Sequence, residues 1–171
     1  SKDNREVRYK EFPIEIYLKG EIIHIDDTIH HSYPLLTIIE DKLVILDFAA
    51  EEYYYHIYGI EEFEYKYSFG KIGRGLNEML YAQSLVHQDS FMYIDNGNDR
   101  SKIIKFVIRE SEAVAVDTIN TPKEFGALNY TINNNEIWGV PYSGSSYRAV
   151  KINKNSQTTD SILKVPDTPE G

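Results

Sequence analysis

Short apolar segments separated by polar turns come round in the same order three times along this chain, at a period of about 45 residues. In the first copy Leu35-Leu36-Thr37-Ile38-Ile39 leads through Glu40-Asp41 to Leu43-Val44-Ile45-Leu46-Asp47, and Tyr54-Tyr55-His56-Ile57-Tyr58 follows. In the second, Leu85-Val86 leads to Phe91-Met92-Tyr93-Ile94-Asp95 and then Ile103-Ile104-Lys105-Phe106-Val107-Ile108. In the third, Leu128-Asn129-Tyr130-Thr131-Ile132 leads to Glu136-Ile137-Trp138-Gly139-Val140 and then Tyr147-Arg148-Ala149-Val150-Lys151-Ile152. Alternation of apolar and polar positions over such short runs is the signature of strands. A four-stranded unit at this period is the spacing of a propeller blade, whereas a β-sandwich has no reason to keep it.

The pattern predicts an all-β fold, a β-propeller with about three four-stranded blades, over residues 35–165 and almost without helix. Leu43-Val44-Ile45-Leu46 reads as a central strand buried on both faces. Phe63-Glu64-Tyr65-Lys66-Tyr67-Ser68-Phe69-Gly70 reads as an outer strand with aromatic residues inward and charge outward. Ile14, Ile16 and Leu18 share one face of a further strand, and Ile23 and Ile25 one face of the next. Asn77 to Gln83 can make a short helical turn, and Ala113-Val114-Ala115-Val116 closes the second blade. From their matching positions, Leu43, Ile45, Tyr93, Ile94, Ile104, Phe106, Ile137, Trp138 and Val150 are expected between sheets. The domain reading is a partial propeller over residues 1–165, followed by a tail or truncated linker over 166–171.

Closed propellers generally need at least four blades, and this sequence offers three. The chain is therefore expected to be a portion of a longer protein, with a partner fragment or a second copy over the exposed blade face. The first residues, Ser1-Lys2-Asp3-Asn4-Arg5-Glu6, are polar and lack an initiating Met, as in a trimmed chain or one whose signal has been removed.

Composition narrows the chemistry. The formal charge of −9 and pI near 5.0 argue against nucleic acid, because phosphate binding needs a basic stripe. Cysteine is absent, which removes disulfides, thiol nucleophiles and thiolate zinc sites. No apolar run approaches the length of a transmembrane helix. Tyrosine is abundant, at 14 residues, and suits strands whose outer ends reach solvent or a partner.

Gly70, Gly73 and Gly75, with Lys71 and Arg74 beside them, resemble a phosphate loop in composition only. Both nucleotide-binding glycine spacings and the βαβ context are missing, so the glycines read as a sharp inter-blade turn, with Lys71 and Arg74 a lesser candidate for an anion. Asp47 and Asp95 end corresponding strands 48 residues apart. Such aspartates either accept backbone N–H groups at a blade corner or line a channel and hold a cation. Asp95-Asn96-Gly97-Asn98-Asp99 lacks the full calcium-loop spacing and its terminal Glu. His24, His30 and His31 have no zinc spacing. His56 reads as a strand residue satisfied by hydrogen bonds, and Ser143-Gly144-Ser145-Ser146 as a turn without a nucleophile elbow. No residue is assigned a catalytic, cofactor-binding or metal-binding role, and no cofactor is expected.

The order Phe69-Gly70, Gly73-Arg74-Gly75, Glu78, then Phe91-Met92-Tyr93-Ile94-Asp95-Asn96, Asn98, Arg100 and Lys102-Ile103-Ile104-Lys105-Phe106 resembles the NHL-type repeat. It resembles more closely the six-bladed propeller proteins of Bacteroides-type gut bacteria, many of them lipoproteins. Leu76, Asn77 and Met79 stand where those families carry proline, glycine and phenylalanine, and the match is best over residues 63–108. The resemblance implies an extracytoplasmic protein, periplasmic or held at the outer membrane by a lipid on the parent protein. The expected function is non-catalytic binding of a protein or saccharide at one end of the channel, with self-association through exposed blade faces a further expectation. The alternative is a metal-assisted, lactonase-like hydrolase whose site is completed by blades absent here.

Overall fold

The computed structural model describes residues 16–22, 29, 34–75, 78–82, 84–95, 102–121, 129–140, 147–155 and 159–164. Twelve strands form three four-stranded antiparallel sheets. The first holds β1 (Leu35–Ile39), β2 (Lys42–Leu46), β3 (Tyr53–Gly59) and β4 (Tyr65–Lys71). The second holds β5 (Val86–Gln88), β6 (Phe91–Asp95), β7 (Lys102–Ile108) and β8 (Ala113–Asn120). The third holds β9 (Asn129–Asn133), β10 (Glu136–Val140), β11 (Tyr147–Asn153) and β12 (Thr159–Lys164). Each sheet is a meander whose spatial order follows chain order, and no helix occurs among the described residues. This is the propeller-blade arrangement, three times over.

The repeat is written most clearly in its first hairpin. Ile39 pairs with Lys42, Gln88 with Phe91 and Asn133 with Glu136, so each hairpin closes through two residues. The first of the two has positive φ in every copy: 56° at Glu40, 53° at Asp89 and 49° at Asn134. Two-residue hairpins need this left-handed backbone to match strand twist. Asp and Asn adopt it readily, and Glu40 does so against its preference.

Counting from these turns fixes which way each side chain faces. Val44 and Leu46 point at the second sheet and meet Met92, Ile94 and Ile108 in a first core that also takes in Ile39, Tyr55, Ile57 and Phe69. Tyr93 and Ile103 leave the opposite face of the second sheet and meet Tyr130, Ile137, Val150 and Ile152 in a second core. Burying a branched aliphatic side chain contributes about 1.5–3 kcal/mol. Of the residues expected between sheets, Ile45, Tyr93, Ile94, Ile137 and Val150 are buried, and Leu43, Ile104, Phe106 and Trp138 are half-buried.

Three expectations are corrected. Residues 16–22 form no strand, and Ile16, Tyr17, Leu18 and Ile22 are exposed, while Ile14, Ile23 and Ile25 lie outside the described residues; an alternating pattern becomes a strand only when another strand pairs with it. Residues 78–82 are not helical; Met79 instead makes a parallel bridge to Ile72. The outer strand of the first sheet begins at Tyr65, and its aromatics do not share a face. A bulge between Ile57 and Tyr58 sets Tyr67 and Phe69 against Ile57 and Tyr55, but Tyr65 against Tyr58 on the other side. Phe69 therefore stacks on Tyr55 at 4.9 Å, whereas Tyr65 meets Tyr58 edge-on at 5.6 Å and is largely exposed. The second sheet repeats this bulge between Lys105 and Phe106.

Candidate functional site: a groove between the first two sheets

The outer strands β4 and β8 do not pair with each other, and a cavity of about 480 Å³ lies between their sheets. Phe69, Met79, Phe106 and Ala113 give it an apolar floor, and Tyr53, Lys71, Glu78 and Glu112 give it a polar rim. Phe69 and Phe106 meet across the two sheets, with ring centroids 5.5 Å apart. Gly70, at φ 72°, is needed here: a Cβ would come within 2.8 Å of the Tyr55 ring stacked beneath it.

The glycine loop beside the groove is closed by its own carboxylate. Gly75 N–H donates to Glu78 Oε2 at 2.8 Å, and Lys71 Nζ lies 3.5 Å from Glu78 Oε1. These contacts, the Gly75 bond first, hold the Glu78 carboxyl below its ordinary range. Glu78 thus takes the backbone donor and the lysine that an external anion would use, so the anion reading of Lys71 gives way to a self-capped loop. Arg74 is exposed.

Across the mouth of the first interface runs an ionic clamp. Lys42, almost fully buried, bonds to Asp41 and reaches Glu110 in the β7–β8 turn at 3.3 Å. Lys66 reaches the same Glu110 at 2.7 Å and Glu64 at 2.8 Å. Glu110 is held below its ordinary range by Lys66 and then Lys42.

A buried chain of hydroxyls links all three sheets. Tyr55 donates to the Ser84 carbonyl at 3.0 Å, and Tyr130 donates to the Tyr93 carbonyl at 2.9 Å. Ser84 Oγ lies 3.2 Å from the Tyr130 hydroxyl and donates to it. Burial pushes both phenols up, Tyr55 most strongly, and the Asp95 charge adds to this at each. The chain is a structural tie; a proton does not leave such phenols near neutral pH.

The sequence-derived candidates fall as follows. Asp47 is fully buried; its Oδ1 accepts from Ala49 N–H at 2.9 Å and its own N–H donates to the Tyr54 carbonyl at 2.9 Å, which is the corner-fixing role. Asp95 is not its equivalent. Six residues past the turn residue stand Leu46, Asp95 and Val140, and eight residues separate Leu46 from its partner Tyr55 where seven separate Asp95 from Ile103. Asp95 points toward the third sheet, as Tyr93 does. Among the described residues no group of three or more His, Asp or Glu side chains is placed to hold a metal ion. His56 Nδ1 meets Ser68 Oγ at 2.8 Å, and the Tyr65 hydroxyl meets the same oxygen at 3.0 Å. His24, His30, His31, Arg100 and Ser143 to Ser146 lie outside the described residues, as do Leu76, Asn77 and Asn96 to Asp99. The groove, the buried Lys42 and the Ser84–Tyr130 tie were not foreseen. Lys42 at a strand start was the one signal that sequence offered for any of them.

Three radially repeated four-stranded meanders define a propeller-class protein. The sequence matches the family described as TolB-like 6-blade propeller-like across residues 11–167, and the chain belongs to that family. Its fold is similar to the crystal structure of a protein from Bacteroides fragilis NCTC 9343 whose name marks it as expected to be exported. The TM-score is 0.63 at 12% identity, over 84% of this chain and 41% of that one. The chain thus spans about two-fifths of that protein's length. No curated protein sequence matches it.

Proposed function

We propose that this chain is part of a non-catalytic propeller scaffold that binds a protein or saccharide partner outside the cytoplasm, in the groove between β4 and β8. The observation that carries this reading is the groove itself: paired phenylalanines on its floor and tyrosine, lysine and glutamate on its rim. Aromatic faces take the C–H face of a sugar or an apolar side chain, while rim groups fix orientation by hydrogen bonds. On this reading the binding surface lies between blades, whereas the sequence suggested a channel end. The hydrolase alternative needs several donors around one cation. Asp47 is committed to a turn and Asp95 to a different face, so neither supports it.

Extracytoplasmic placement rests on the similarity to a protein expected to be exported, and attachment through a lipid on the parent protein is part of the same proposal. No described helix is long and apolar enough to cross a membrane. Fractionation of cells expressing the parent gene checks placement, and recovery in the cytoplasm would remove it. For the groove, the measurement is NMR titration with a panel of oligosaccharides and extended peptides. Shift changes confined to groove residues, abolished by Glu112→Lys, are expected; a panel that perturbs only other surfaces would end the reading.

A further inference from the structure

The second sheet ends on a strand with a free outer edge beside the groove. β8 stands last in its sheet and, at eight residues, is the longest of the twelve strands. Its backbone directions follow from the turn that starts it. Arg109 N–H donates to the Glu112 carbonyl at 2.9 Å, whereas Ile108 N–H points the other way, to the Ser90 carbonyl at 3.4 Å. Bonded and non-bonded pairs alternate along an antiparallel ladder. Ala113, opposite Ile108, and Ala115, opposite Phe106, therefore aim their N–H and C=O groups away from β7. Both alanines line the groove, and Ala115 and Val116 are exposed. Past the bulge that puts Val116 out of register, Asp117 Oδ1 takes the Thr118 N–H at 2.8 Å, so the free edge ends there. Edges are ordinarily guarded by lysine, proline or a covering segment. β4, across the groove, has such a guard: it carries Lys66 and Lys71, and Met79 N–H donates to the Lys71 carbonyl at 2.8 Å. Residues 113–116 carry neither lysine nor proline.

We propose that an extended polypeptide, with basic residues flanking an apolar run, adds to this edge as a fifth strand paired through Ala113 and Ala115. The proposal rests on the groove reading above and names its occupant. An extended backbone offers donors and acceptors at strand spacing, and a saccharide does not. Ala113 and Ala115 face the first sheet, since their partners Ile108 and Phe106 pack into the first core. Side chains of the added strand on that face would lie over Phe69, Phe106 and Met79, with only two methyl groups beside them. Charge selects the flanks. Glu112 and Asp117 bracket the free edge, and β8 has no basic residue. Glu112 keeps one contact of 3.4 Å to Arg109, with both side chains largely exposed. Both sheets that form the groove belong to this chain, so the edge does not depend on what lies beyond either end of it.

NMR titration and amide hydrogen exchange of the 171-residue chain test this, with short synthetic peptides that alternate leucine and threonine between terminal lysines. Slowed exchange at the Ala113 and Ala115 amides is expected. N-methylation of alternate peptide bonds should abolish binding in one frame and spare it in the other, because a strand pairs through every second residue. Methylation harmless in both frames, with shifts still in the groove, would overturn strand addition and leave the groove reading standing. Groove shifts with oligosaccharides alone would do the same, and a groove that answers neither kind of ligand would remove both. Ala115→Pro deletes one edge N–H where an edge strand tolerates proline, and should weaken binding roughly tenfold. Unchanged affinity in that variant, with an unchanged circular dichroism spectrum, would overturn the pairing. The methylated peptides leave the protein unaltered and decide the question even if the proline unsettles the sheet. Glutamate-ended peptides should bind more weakly, with the gap closed by salt; equal binding would remove the basic flanks from the proposal.

Discussion

The two interfaces between sheets are built from the same positions yet filled differently. Between the first and second sheets, Ile57 is completely buried at the centre of β3. Counted from the shared bulge, the corresponding residue of β7 is Lys105, which points into the second interface. Its ammonium lies 3.7 Å from the centroid of the Phe91 ring, and Lys154 lies 5.3 Å from that of Tyr93. Burial, and then the Lys105 charge, push the Lys154 ammonium below its ordinary range. The first interface is therefore an aliphatic and aromatic seam closed at its mouth by ions, and the second an aliphatic seam with two cations laid over its aromatic rings. One blade pattern tolerates either, because a long lysine stem covers apolar surface while its head stays near water.

The comparison breaks most readily at Ile57. Ile57→Ala should lower stability by about 2–5 kcal/mol, read from urea unfolding, because it leaves a cavity at the fully buried centre of β3. A loss no larger than that of an exposed substitution would mean that the first interface does not depend on the packing around Ile57. Tyr130→Phe should cost about 1–3 kcal/mol, since it leaves the buried Tyr93 carbonyl without its hydroxyl donor. The same assay checks it, and a neutral result would show that the tie across the second interface is dispensable. The smallest effect sharpens the contrast at the ionic mouth. Glu110 titrates below its ordinary 4.5 because Lys66 and Lys42 favour its charged form. Its contribution is present above that value and is lost as pH falls through the lowered one. Acid unfolding of Glu110→Gln should therefore begin from a lower plateau and show a shallower fall with pH than the parent, with the gap narrowed by salt.

What the sequence made legible is what depends on neighbours along the chain. The hairpins, the buried β2 run and the three sheets follow from alternation and turn residues alone. The error at Asp47 and Asp95 has a simple cause. A spacing of 48 fits the third strands, as in Ile57 and Lys105, but the turn residues Glu40 and Asp89 lie 49 apart. One residue is enough to reverse a side chain's face. The bulge at Ile57 and Tyr58 hid the turn of Tyr65 in the same way. The groove, the Lys42 clamp and the Ser84–Tyr130 contact join residues 46 or more positions apart in the cases of Ser84–Tyr130 and Lys42–Glu110, and no local periodicity carries such information.

The extra residue between Leu46 and its partner Tyr55, set against Asp95 and Ile103, changes no strand's pairing parity, because the hairpin on one side and the bulged pair on the other each hold their own register. Length variation is thus absorbed in the stretch that joins β2 to β3. A guest peptide spliced there, past the Asp47 corner, would be displayed at one end of the stack while both seams kept their partners. The chain is in this sense a row of fixed cassettes on adjustable cords.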